Sequence, residues 1–170
     1  MSEIGAGRPP ENAMSTENPF VYRLRVRFAE CDPQKVAFNG VYGLYIDLAV
    51  FEFMRAMGFG ESLVKGPLDY QVVKQAVEWT GPARFDQVVE ISIWASRLGT
   101  TSFTIATQFR IAGDHKVSAT GETIYVLVDA KTLTKTPLPA DFRAALERGV
   151  PGLCVDHADC TPRPQPTLGR

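Results

Sequence analysis

The chain has 170 residues, 45% of them hydrophobic, and a formal net charge of −1. That length and apolar content predict one globular domain with a real core. The balanced charge, with no run of one sign, excludes the usual nucleic-acid binder and any polyanion-binding tail.

Residues 1–18 are rich in Gly, Pro, Ser, Glu and Asn and offer little to bury. They read as a disordered leader. With no apolar segment, this stretch is not a secretory signal. Three cysteines, Cys31, Cys154 and Cys160, share no repeated spacing and make no disulfide framework. A cytoplasmic protein is the expectation. The folded domain is expected over 19–149, followed by a flexible, proline-containing tail over 150–170.

From Phe20 to Phe28 the chain alternates, with Tyr22, Leu24, Val26 and Phe28 on one face and Arg23, Arg25 and Arg27 on the other. A period of two predicts a half-buried strand. Ala29-Glu30-Cys31-Asp32-Pro33 then breaks it, because proline lacks a donor and restrains the residue before it. A helix is expected from Gly40 to Met57. Tyr42, Ile46, Ala49, Phe53 and Met57 form one stripe, and further apolar side chains fill most of the remaining surface. Gly58 is its natural stop. Asp47, Glu52 and Arg55 lie inside this stretch, so it is not a membrane span.

After a turn near Gly66-Pro67, four strands are expected: Tyr70 to Trp79, Val88 to Leu98, Thr101 to Ile111 and Lys116 to Val128. Gly81-Pro82, Gly99 and Gly113-Asp114 separate them. A short helix over Ala140 to Arg148 ends before Gly149. The order predicts an α+β fold, a five-stranded antiparallel sheet around one long helix, with the four later strands in a meander. A single sheet covers one side of a helix this apolar, so a dimer or larger assembly is expected.

There are two histidines: His115 sits in a hairpin turn and His157 in the tail. A Ser-His-Asp or Cys-His centre is therefore a poor fit. Asp32 is the best candidate for chemistry, between the first strand and the start of the buried helix. A carboxylate there would neighbour the exposed N–H groups that carry the positive end of the helix dipole. Such groups polarise a carbonyl and hold an oxyanion. The carboxylate could attack a carbonyl or activate a water. Equipment this sparse suits a thioester, whose thiol leaves without a strong general acid. The spacing leaves open that Asp32 merely caps the loop before Pro33. Asp47 is a possible second carboxylate or a buried hydrogen-bonding group. Cys154, His157 and Cys160 are metal-ligand types at a spacing that is no recognised zinc pattern, so no metal or other cofactor is expected.

Arg27-Phe28-Ala29-Glu30-Cys31-Asp32-Pro33, followed by Phe38 and Tyr42, resembles the opening of 4-hydroxybenzoyl-CoA thioesterase and its hot-dog relatives. Asp32 and Tyr42 keep the family's ten-residue interval. Gly81-Pro82-Ala83-Arg84-Phe85-Asp86, Gly99-Thr100-Thr101-Ser102-Phe103 and Pro137-Leu138-Pro139 are similar to later turns of that family. The resemblance covers about residues 20–148. It implies a hot-dog fold, homodimers or homotetramers, and hydrolysis of acyl-CoA or aryl-CoA. It implies Asp32 as nucleophile or general base, with the backbone N–H of Asn39 or Gly40 polarising the thioester. Phe38, Tyr42, Arg84, Arg97, Thr100, Thr101 and Ser102 are the expected substrate contacts. Relatives usually carry glycine where this chain has Lys35, and many carry histidine or tyrosine where it has Asn39. Those departures favour the alternative of a non-catalytic acyl-thioester-binding module. A hot-dog dehydratase would need a site histidine, which neither His115 nor His157 is placed to supply.

Overall fold

The computed structural model describes residues 18–66 and 68–158. The leader expected over 1–18, apart from Asn18, lies outside these residues. So do Pro67 and residues 159–170 of the expected tail, including Cys160.

Six strands form one sheet: β1 (Phe20–Arg25), β2 (Leu68–Trp79), β3 (Val88–Leu98), β4 (Ser102–Ile111), β5 (Val117–Asp129) and β6 (Cys154–Asp156). Their order is β2-β5-β4-β3-β1-β6. Three helices accompany them: α1 (Val41–Ala56), α2 (Gly60–Lys65) and α3 (Ala140–Arg148). Among the described residues no helix is long and apolar enough to cross a membrane.

The alternating residues of β3, β4 and β5 face one side. Val89, Ile91, Ile93, Ala95, Phe103, Ile105, Phe109, Ala119, Tyr125 and Leu127 are all buried there. Helix α1 answers with Tyr42, Tyr45, Ile46, Ala49, Val50, Phe53 and Met54, a stripe at helical spacing. Its end is set by Gly58, whose φ of 92° only glycine adopts easily. Gly58 N–H donates to Arg55 O at 2.9 Å and Phe59 N–H to Met54 O at 3.0 Å, which satisfies two of the last carbonyls.

Four expectations are corrected. The first strand ends at Arg25, and Phe28 is 80% exposed rather than part of the inner face. The Glu30 carboxylate takes the Arg27 N–H at 2.7 Å, and Glu30 N–H donates to Arg27 O at 3.1 Å. These bonds curl residues 28–30 into a 3₁₀ turn and lift Phe28 off the sheet. Second, β2 pairs with β5 rather than β3, so only β3, β4 and β5 form a meander. Gly81-Pro82 opens a longer connection whose backbone pairs elsewhere: Ala37 N–H donates to Ala83 O at 2.8 Å. Third, the segment expected to be a loose tail supplies β6, which runs parallel to β1 with Val21 opposite Cys154. The sheet thus has six strands where five were expected. Fourth, α2 was not anticipated, since six residues are too few to show a helical period.

The outer side of α1 stays uncovered, with Leu44 51% and Leu48 42% exposed. Where α1 rests on the sheet the packing is tight. A Cβ on Gly121 would clash with Thr107 Oγ1 and stand 3.1 Å from Ile46 Cδ1. Gly121 therefore leaves room for the Thr107 hydroxyl of β4 and for Ile46 of α1. Gly121→Ala is expected to lower stability by about 1–3 kcal/mol, as overpacking does. Urea unfolding checks this, and an unchanged midpoint would contradict the packing described.

Candidate active site

The loop between the 3₁₀ turn and α1 is folded by Asp32. Its Oδ1 accepts the Gln34 N–H at 2.9 Å and the Val36 N–H at 3.3 Å. Its own N–H donates to Val36 O at 2.9 Å, and its carbonyl accepts the Lys35 N–H at 2.9 Å. Cys31 and Ala37 pair across the base of this turn. The Gln34 amide, oriented to satisfy its hydrogen bonds, places its nitrogen 3.2 Å from Oδ1 and 3.0 Å from Oδ2. Asp32 is thus the self-bonding aspartate that the capping alternative describes. It is half-buried all the same, and it lines two surface depressions that meet at Phe38.

One depression is bounded by Asp32, Phe38, Asn39, Tyr42 and Trp79. The other is bounded by Glu30, Cys31, Asp32, Phe38, Val41 and Leu44. Phe38 is exposed, and its ring folds over Gly40, where a Cβ would stand 2.8 Å from Phe38 Cε1. At the start of α1, Val41 N–H donates to Phe38 O at 2.9 Å and Tyr42 N–H reaches Asn39 O only at 3.4 Å. The N–H groups of Asn39 and Gly40 have no acceptor among the described residues. Two open amides at a helix start beside a carboxylate are the equipment that can polarise a carbonyl.

Of the expected substrate contacts, Phe38 lies at the junction of both depressions. Tyr42 is 2% exposed and forms the floor of one. Its ring packs edge-on against Trp79 at 5.8 Å and Phe109 at 5.2 Å. Burial pushes its phenol pKa up. Arg84 is exposed on the connection beside the loop, its backbone bridged to Val36. The structure does not bring Arg97, Thr100, Thr101 and Ser102 to Asp32 within one chain. They surround the β3–β4 turn, at the far end of an 11-residue strand, roughly 35 Å from its start by the rise of an extended chain. The carbonyls of Thr100 and Thr101 accept the Leu138 and Leu127 N–H groups at 2.9 and 2.8 Å, which ties that turn to its neighbours.

Asp47 borders neither depression, and burial raises its carboxyl pKa. His115 is exposed in the β4–β5 turn, and His157 Nδ1 lies 3.1 Å from the Tyr22 hydroxyl. Trp79, 48% exposed at the end of an edge strand, escaped the sequence reading because only the fold carries it to the loop. Glu30 and Tyr45 also escaped it as a pair: the Tyr45 hydroxyl donates to Glu30 Oε2 at 2.7 Å.

Lys35 has φ of 63°, in the left-handed region where a side chain crowds the backbone. The loop path that glycine would ease is retained, at a strain of roughly 1–2 kcal/mol. Lys35→Gly is expected to stabilise the fold by about 1 kcal/mol, the relief being partly offset by glycine's entropy. Denaturant unfolding measures this, and a loss of stability would contradict it.

Comparison with known proteins fits this geometry. The description of a thioesterase-like superfamily matches residues 26–146. A curated protein of Aquifex aeolicus (strain VF5), provisionally named an esterase, is 32% identical over 89 residues, spanning 52% of this chain and 70% of the relative. A solved hypothetical protein of Aquifex aeolicus superposes with a TM-score of 0.70 at 26% identity, covering 75% of this chain and 99% of that one. A gentisyl-coenzyme A thioesterase superposes with a TM-score of 0.67 at 26% identity, covering 74% of this chain and 98% of that one. A long helix held in one curved sheet is the hot-dog arrangement these neighbours share.

Proposed function

The chain belongs to the thioesterase-like superfamily, and on that premise we propose that it hydrolyses an acyl- or aryl-coenzyme A thioester. The observation that carries this reading is a half-buried carboxylate, Asp32, on the wall of a depression that it shares with Asn39 at the start of α1. The thioester carbonyl oxygen would lie against the open N–H of Asn39 or Gly40. Asp32 Oδ1 is committed to the loop backbone, and Oδ2, which accepts only the Gln34 side-chain amide among the described residues, is the oxygen proposed to work.

Oδ2 acts in one of two ways. As general base it takes a proton from water while the water oxygen bonds the carbonyl carbon. As nucleophile it forms a mixed anhydride that water then cleaves. In both, the C–S bond breaks, the electron pair leaves on sulfur, and the products are the acid and the thiol. A thiol has a pKa near 8.5 when it resembles a free cysteine's, so it leaves as thiolate without a strong acid. The absence of any histidine from the two depressions is consistent with this economy.

Phe38, Tyr42 and Trp79 are the surfaces offered to the acyl group, and Arg84 is the nearest of the expected cations for the nucleotide end. The uncovered Leu44 and Leu48 of α1 support a homodimer or homotetramer. In such an assembly, Arg97, Thr100, Thr101 and Ser102 are proposed to contact coenzyme A bound at another copy's Asp32. The binding-module alternative draws on Lys35 and Asn39. Lys35 loses weight, since the loop holds its left-handed path despite the side chain.

The test is thiol release from short, long and aromatic CoA esters by wild type and by Asp32→Asn. Asparagine keeps an oxygen to accept the Gln34 and Val36 amides, so the fold is expected to survive. Turnover is expected to fall roughly 10²–10⁴-fold. Near wild-type turnover in folded Asp32→Asn would remove Asp32 from the chemistry. Ligand binding with no thiol release from any ester would favour the binding module.

A further inference from the structure

Glu30 lines the same depression as Asp32 and is two residues before it, yet the proposed chemistry does not use it. Its side chain is not idle. Oε2 accepts the Tyr45 hydroxyl at 2.7 Å and the Arg27 N–H at 2.7 Å. Its backbone carbonyl accepts the Phe38 N–H at 2.9 Å. One residue thus holds three segments: the 3₁₀ turn through Arg27, helix α1 through Tyr45, and the approach to the open amides through Phe38.

Tyr45 is well chosen as an anchor. It is 1% exposed, on the buried stripe of α1, and its ring packs against Tyr42 at 5.9 Å. Burial first, and then the Glu30 hydrogen bond and charge, drive its phenol far above the usual range. A bond from a neutral donor to an ionised carboxylate is roughly twice as strong as a neutral pair. The link is short in space and spans 15 residues of chain.

We propose that Glu30, held by Tyr45, is a positioning residue: it fixes the Asp32 turn and the Asn39 and Gly40 amides relative to each other. The reasoning is geometric. Asp32 follows Glu30 by two residues along the chain, and Asn39 follows Phe38, whose amide Glu30 receives. A reacting carbon must meet a carboxylate oxygen and an amide hydrogen at once. Misplacement by about 1 Å can cost on the order of 10²-fold in rate. Oε2 makes no bond to Phe38, Tyr42 or Trp79, the surfaces offered to the acyl group, and the Tyr45 ring that packs on Tyr42 is kept in Tyr45→Phe. Loss of the Glu30–Tyr45 bond is therefore expected in kcat and not in KM.

This inference rests on the hydrolase reading. The test compares thiol-release kinetics of wild type, Tyr45→Phe, Glu30→Ala, the double variant and Glu30→Gln. Amide hydrogen exchange at Phe38 is measured alongside the kinetics. Tyr45→Phe removes one oxygen from the core and is expected to fold. Its kcat is expected to fall roughly 10–100-fold, with KM within about twofold. Glu30→Ala should match it, and the double variant should be little worse than the lower single one. Glu30→Gln keeps an oxygen for both donors and should recover most of the rate. The Phe38 amide, bonded to the Glu30 carbonyl, should exchange faster in Tyr45→Phe and Glu30→Ala, a change visible even without substrate. Wild-type kcat and unchanged exchange in folded Tyr45→Phe would overturn the positioning role alone. A wild-type chain that releases no thiol from any ester would overturn both this role and the hydrolase reading.

Discussion

The structure around the depressions depends on one carboxylate oxygen, Asp32 Oδ1, captured by the amides of Gln34 and Val36. That capture turns the chain within five residues and returns it toward α1. It requires the left-handed backbone at Lys35. It also decides the orientation of the carboxylate, because Oδ1 is spent on the backbone while Oδ2 meets only the mobile end of a side chain, the Gln34 amide, among the described residues. An aspartate that only capped the loop would need the first half of this arrangement. What goes beyond a cap is the neighbour across the depression, a helix start with two amides that nothing in the described chain accepts.

The sheet exists, for this purpose, to hold that helix start in place. Beneath helix α1 the sheet is packed closely enough that the Thr107 hydroxyl and the Ile46 side chain leave no room for a Cβ at Gly121. The connection after β2 gives up a tight hairpin and pairs with the loop instead, through Ala37 and Ala83. The loop is therefore braced from three sides: by its own aspartate, by the sheet connection, and by Glu30 reaching Tyr45 on α1. The Glu30–Tyr45 bond is part-buried, and a polar group shielded from water is costly to leave half satisfied. That cost ties the order of the loop to the order of the core.

How much of this the sequence disclosed follows from the range of each interaction. Elements with a long, unbroken period were legible: β3 over Val88–Leu98 and α3 over Ala140–Arg148 carry the bounds that alternation and punctuation imply. Phe28 was misread because alternation in sequence continues past the point where the backbone leaves the sheet. Strand β6 was misread because three residues added to an edge show no period. The partner of β2 was misread because loop length, not strand pattern, decides which strands meet. In the site, Asp32, Phe38 and Tyr42 could be found from their place before an apolar helix. Trp79 could not, nor could the bond from Tyr45 to Glu30, since both need the fold to bring distant residues together. The expected substrate contacts Arg97, Thr100, Thr101 and Ser102 lie round the β3–β4 turn, which the length of β3 separates from the connection that pairs with the Asp32 loop.

The central claim is that a thioester carbonyl sits between the Asp32 carboxylate and the first amides of α1. A crystal structure with a non-hydrolysable ketone analogue of an acyl-CoA, its sulfur replaced by methylene, tests it most directly. The account expects the analogue's carbonyl oxygen at about 3 Å from the Asn39 or Gly40 nitrogen, within hydrogen-bond range, with its carbon turned toward Asp32 Oδ2. An analogue bound with its carbonyl remote from both groups would contradict it.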